Sequence, residues 1–255
     1  TGDSPRDALH AALEIADRIE WNDLPPAPVR LLRRPVFAHL ENEFDDWSGG
    51  FHRMADGFDI ERHIAEAARL GLETFEVNLL ADTVPVQVRE RRNWRDVYPW
   101  WCVYSPALDM FVESSLNRGT YAPEMLARNL AKLRHTAEIT RRWGLKPTFT
   151  AFEPRAWPER LFDRYPDLRG ARVDNSDYSV EPEYAPDTNH PWVLDHYAEL
   201  MTNLMREIPD LHAFTVWSQD SCAGFPWAEV AYAGPNGPRP PRKFPIEQTV
   251  ARFTK

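Results

Sequence analysis

The sequence predicts an α/β fold built on a parallel sheet, and three observations carry that expectation. A strand, a loop and a helix follow one another four times between residues 36 and 255, the alternation that builds parallel sheets. Three helix-to-strand joints are only a few residues long: Leu70-Gly71-Leu72, Trp143-Gly144-Leu145 and Ile208 to Leu211. The strand-to-helix connections, in contrast, are long and gather most of the Trp, Pro and paired carboxylates. Short joints at one end of a sheet and long decorated loops at the other predict the (β/α)8 TIM-barrel type, with functional groups at the C-terminal ends of the strands. No Gly-rich phosphate turn follows any strand, which argues against a doubly wound nucleotide-binding sheet.

The elements follow in order. Residues 7–20 place Leu9, Leu13, Ile15, Ala16 and Ile19 at the spacing of an amphipathic helix. Ser4-Pro5 supplies the cap and a first-turn proline. A Pro-rich connector (LPPAP, 24–28) and an arginine cluster at Arg30, Arg33 and Arg34 lead to a short β-rich run, Pro35 to Leu40. Asp59 to Leu70 reads as a helix closed by Gly71, and Glu73 to Leu80 as the next strand. Pro123 to Trp143 is a long helix with Gly144 at its C-terminal cap. The third strand is Lys146 to Phe152, the third long helix Pro191 to Ile208, and the fourth strand Ala213 to Trp217. A fourth helix begins at Pro245.

Four such units are half of what an eight-fold barrel needs. Residues 1–34 are therefore expected to be an N-terminal helix and connector, and residues 35–255 the N-terminal half of a barrel holding its first four βα units. A free half-barrel would expose apolar strand edges, so the other half is expected from the remainder of a longer chain or from a homo-oligomer.

Composition removes whole classes of function. The chain has 255 residues and a net charge of −9, with no Lys/Arg-rich stretch, which argues against a nucleic-acid surface. No apolar run approaches the roughly 18–20 residues of a membrane span, and 12% aromatic residues is too many for a disordered chain. Ten Trp stand beside 23 Pro and 11 Gly. That ratio favours long rigid connections over tight hairpins, and the indoles serve either as core or as flat platforms for ligand rings. Cys102 and Cys222 allow one disulfide but fix no framework and no metal site. No leader segment opens the chain, and both a secreted and a cytoplasmic location stay open.

Candidate site residues cluster where strands end. The first strand delivers Glu41 and Asn42, the second Asn78, the third Glu153 and Arg155, and the fourth Ser218, Gln219 and Asp220. Asp220 is the leading catalytic candidate. A carboxyl between Trp217 and Trp227, just past a hydrophobic strand, is placed for burial to raise its pKa and make it a general acid. The alternative is a loop-capping Asp that accepts backbone N–H bonds. Glu153 either binds a sugar hydroxyl or forms a structural ion pair with Arg155. A sugar ring packs its C–H faces on indole and needs Asp, Glu, Asn and Arg for its hydroxyls, the mixture these loops contain. No HExxH, CxxC or helical His pair is present, so neither a metal nor another cofactor is expected. No Gly-x-Ser-x-Gly elbow marks a serine hydrolase.

The segment EIPDLHAFTVWSQDSCAGFPW (207–227), with NHPWVLDHYAELMTNLMR (189–206) before it, resembles the stretch through strand four of the α-glucuronidases and the β-N-acetylhexosaminidase-like barrels. Residues 141–170 are similar to their third strand and its exit. In those families the strand-four loop bears the general acid as Glu-Gly or as an Asp-Glu pair. Here Gln219-Asp220-Ser221 stands near that place. The resemblance implies a glycoside hydrolase with Asp220 as the proton donor. Glu41, Asn42, Asn78, Glu153, Arg155, Trp217 and Trp227 would then hold the carbohydrate. The competing expectations are a non-catalytic carbohydrate-binding barrel and a metal-dependent sugar isomerase or lyase.

Overall fold

The computed structural model describes residues 4–25, 58–81, 107–174, 182–218, 223–226 and 244–255. The expected strand at 35–40, the candidates Glu41, Asn42, Asp220 and Trp227, and both cysteines lie outside these residues.

Helix α1 (Pro5–Glu20) starts where Ser4 Oγ accepts from the Asp7 N–H at 3.2 Å. Its expected apolar face is split. Leu9, Leu13 and Ala16 are half-buried against the body, while Ile15 and Ile19 stand 54% and 60% exposed. Helix α2 (Ile60–Arg69) is capped by Asp59, whose carboxylate accepts from the N–H groups of Glu61 and Arg62. It buries Ile64, Ala67 and Ala68, and Gly71 at φ +84° takes the left-handed turn that ends it.

Strand β1 (Thr74–Glu76) is shorter than the sequence predicts, because the backbone turns from residue 77 onward. The Asn78 side chain replaces the missing backbone there. Its Nδ2 donates to the Thr150 carbonyl at 2.8 Å and its Oδ1 accepts from the Thr150 N–H at 3.3 Å. A side-chain amide thus supplies the donor and the acceptor that a continued strand would have offered Thr150.

Helix α3 (Pro123–Arg142) lies against α2 and against β2 (Lys146–Phe152). After β2 the expected loop contains structure of its own: helix α4 (Glu159–Arg164), a 3-10 turn (Pro166–Leu168) and an antiparallel ribbon of β3 (Arg169–Arg172) with β4 (Tyr184–Pro186). Gly170 sits so close to β4 that a Cβ there would lie 2.5 Å from the Pro186 carbonyl oxygen. Helix α5 (Pro191–Glu207) turns Val193, His196, Tyr197, Leu200 and Leu204 inward at helical spacing. Strand β5 (Ala213–Trp217) and helix α6 (Ile246–Phe253) complete the order.

The sheet order is β1-β2-β5, all parallel, with Thr74 opposite Lys146 and Phe152 opposite Trp217. The three parallel strands lie in the sheet in the order in which they occur in the chain. Among the described residues the parallel sheet has three strands and does not close into a barrel. The fold is thus mixed α/β with a parallel sheet. Its core centres on Phe149, packed edge-on to Phe111 (centroids 5.1 Å apart) and stacked on Phe214 (5.3 Å). Leu133, Ala137, Leu161, Phe162 and the inward face of α5 surround it. No helix among the described residues is long and apolar enough to cross a membrane.

Candidate active site

A cluster of buried polar groups forms just beyond the C-terminal end of β2. Glu153 is the first residue past the strand, its peptide bond to Pro154 is cis, and its carboxylate is buried. Oε1 accepts from the Leu108 N–H at 3.1 Å, and Oε2 accepts from the Arg155 N–H at 2.8 Å and the Tyr197 hydroxyl at 2.7 Å. Burial pushes this carboxyl upward and those three donors pull against it. Its backbone N–H donates to the Trp217 carbonyl at 3.0 Å, which continues the β2–β5 ladder.

Asp109 joins Glu153 from a separate part of the chain. It sits in a 3-10 turn (Leu108–Met110) and is 5% exposed. Burial first, and the neighbouring Glu153 charge second, push its pKa up to about 7, against the pull of Arg155, Tyr121 and Asn117. A carboxyl poised there carries its proton for part of the neutral range and gives it up for the rest. The Tyr121 and Tyr197 hydroxyls, both buried beside the pair, are pushed well above the usual phenol value, chiefly by burial.

His196 reaches the same place from α5. Its ring is buried, meets Trp157 edge-on at 5.1 Å, and brings Nδ1 to 2.6 Å from Ser114 Oγ. Burial lowers its pKa to about 4, so the ring is neutral around pH 7. Asp109, Glu153, Arg155, Trp157, His196 and Tyr197 line one closely packed crevice with no room for a water molecule.

The loop after β5 returns to this cluster. Ala223 forms an antiparallel bridge with Arg155, and the Gly224 N–H donates to the Pro154 carbonyl at 3.0 Å. Ala223–Pro226 are buried there, three residues after the position of Asp220.

Of the residues singled out in the sequence, the structure brings Glu153 and Arg155 together. Asn78 is placed one strand away, its amide committed to the Thr150 backbone. Trp217 ends β5 at 37% exposure, tilted against Phe152 at 6.2 Å. Sequence reasoning missed Asp109 and passed over His196. The signal for Asp109 is a single charge inside the apolar run Ala107-Leu108-Asp109-Met110-Phe111-Val112. For His196 it is a ring on the apolar face of a helix, between Val193 and Leu200. Among the described residues no group of three or more His, Cys, Asp and Glu is arranged to hold a metal ion.

Fold and site together define a mixed α/β protein that concentrates buried acid groups at the C-terminal edge of a parallel sheet. Comparison with protein-family models, with curated proteins and with solved structures finds no match.

Proposed function

We propose that this chain is a glycoside hydrolase of the (β/α)8-barrel type that cleaves a glycosidic bond with acid assistance. The observation that carries the reading is the pairing of Asp109 and Glu153 beside Arg155 at the end of β2, with the β5 loop returning onto Arg155. Parallel α/β sheets bind ligands at the C-terminal ends of their strands, and the three strands of the parallel sheet lie side by side in chain order, as barrel units do. In this reading β1, β2 and β5 are consecutive strands of the barrel.

The roles divide by what each group has free. Asp220, which the sequence sets between β5 and Ala223, donates its proton to the leaving oxygen. Glu153 spends both oxygens on three donors, so it positions Tyr197 and the 153–155 backbone rather than meeting the sugar. Trp217 offers its exposed indole to a ring face.

The test uses the full-length protein and a panel of aryl glycosides, including glucuronides and N-acetylglucosaminides. Wild type hydrolyses at least one. Asp220→Asn lowers kcat on poor leaving groups by about a hundredfold or more, the lower end for general acid catalysis, and by much less where the leaving group needs no proton. Binding without hydrolysis of any glycoside would replace this reading with a carbohydrate-binding protein.

A further inference from the structure

We propose that helix α1 pairs with α1 of a second copy of this chain, antiparallel, along a row of residues that the body leaves uncovered. This goes beyond the hydrolase reading and does not depend on it.

The row is Ala8, Ala12, Ile15 and Ile19, all exposed, the two isoleucines by more than half. Their spacing alternates between four and three residues, the seam of a coiled coil rather than the broader stripe of a helix lying on a core. The face turned to the body is a different one. Leu9, Leu13 and Ala16 are half-buried there, with Leu13 packed on the α2 cluster and Leu9 beside Gly144. Helix α1 therefore has two apolar faces and fills one of them. Single exposed apolar side chains are ordinary, but a heptad row of them with no charge among its members is a contact surface.

The order of the row selects the occupant. Its small residues come first and its large ones last. A second copy laid parallel and in register would set alanine on alanine at one end and isoleucine on isoleucine at the other, a void followed by crowding. Laid antiparallel, Ala8 meets the partner's Ile19 and Ala12 meets the partner's Ile15, so every layer holds one small and one large side chain. A two-fold axis makes the surface its own complement. Charge agrees with this order. Arg18, bonded to Glu14 within its own helix, comes alongside the partner's Asp7, and each helix dipole lies against its opposite. Trp21 and Leu24, exposed just past the helix, continue the apolar surface over the start of the partner's helix. A lipid surface fits less well, since residues 4–25 carry five acidic groups against two arginines.

Arg6 fastens α1 to Glu73 and to the carbonyls of Gly71 and Leu72, just before β1. The pair thus forms at the N-terminal end of the sheet and leaves the opposite end, with Asp109 and Glu153, uncovered. The seam runs for about 17 Å, too short to bury the roughly 1,200–2,000 Å² of a permanent interface. The dimer is therefore a weak one that forms with concentration.

Sedimentation equilibrium of the full chain from about 1 μM to about 1 mM, the range of weak contacts, tests the pairing. We expect the mass to rise from one chain to two across that range. Ile15→Asp should weaken association by about tenfold or more with the circular dichroism unchanged; if it does not fold, Ile19→Ser reads the same row. Ala8→Ile should also weaken association by setting isoleucine against isoleucine, and adding Ile19→Ala should recover most of that loss. A single chain at every concentration would give the row to another segment or another protein and overturn the pairing. A dimer that Ile15→Asp leaves intact would overturn it too, and tighter association of Ala8→Ile would overturn the antiparallel order.

Discussion

The two ends of the parallel sheet use charge in opposite ways. At the N-terminal end, ion pairs sit in partial contact with water and tie helices to the short joints. Arg6 bonds Glu73 at 2.6 Å and the carbonyls of Gly71 and Leu72. Arg141 grips Asp210 through both carboxylate oxygens, and Arg134 pairs with Glu207. Such pairs contribute about 0–1 kcal/mol each, so they register the joints without holding the fold together. At the C-terminal end, Asp109, Glu153 and Arg155 are buried with their phenol and imidazole neighbours. Desolvating charged groups costs several kcal/mol apiece, which a fold tolerates where the groups have work to do. The contrast separates charge that fastens from charge that is held ready.

The largest expected effect breaks the C-terminal cluster. Glu153→Ala strands the Leu108 and Arg155 N–H groups and the Tyr197 hydroxyl, and removes a carboxylate beside a buried guanidinium. Urea unfolding should show a loss of about 3–5 kcal/mol, the cost of breaking a buried pair. Arg141→Ala or Arg134→Ala at the other end should cost about 1 kcal/mol or less. Equal losses at the two ends would erase the distinction.

A smaller effect sharpens it through pH. The Asp109 pKa rises from an ordinary 3.8 to about 7 on folding, so the native state holds the extra proton, and stability from this group falls as pH climbs from about 4 to 7. His196 drops from 6.5 to about 4, so the unfolded state holds the proton, and stability from this group rises between about pH 4 and 6.5. The two slopes oppose each other in the intact protein. Removing one at a time should expose the other: Asp109→Asn gains stability across that window relative to His196→Gln. Parallel melting-temperature profiles for the two variants would refute the assignment.

Much of the framework was legible in the sequence because it depends on local periodicity. Strands β2 and β5 and helices α2, α3 and α5 lie within a residue or two of where pattern and caps place them. Strand β1 ends early because Asn78 takes over its ladder, an exchange that alternation cannot signal. In α1 the apolar spacing is real, but Ile15 and Ile19 point outward because only Leu9, Leu13 and Ala16 find the body. The β3–β4 ribbon escaped because its strands are four and three residues long and read as loop. At the site, Glu153 and Arg155 were readable from their place past a strand. Asp109 and His196 were not, because packing alone joins residues so far apart in the chain. The leading candidate, Asp220, is judged by its substitution rather than by geometry.

The close approach at Gly170 bears on the contact between Trp157 and His196. That clearance lies within the β3–β4 ribbon. The same ribbon holds the Trp157 backbone, whose N–H donates to the Tyr184 carbonyl at 2.9 Å. A single methyl group at residue 170 would need the two strands to part, since a Cβ there meets Pro186 backbone rather than a side chain that can swing away. Spreading the ribbon moves Tyr184, and Tyr184 carries Trp157 off the edge of His196. The fit of an indole against an imidazole is thus gauged from outside, by the thickness of one hydrogen atom.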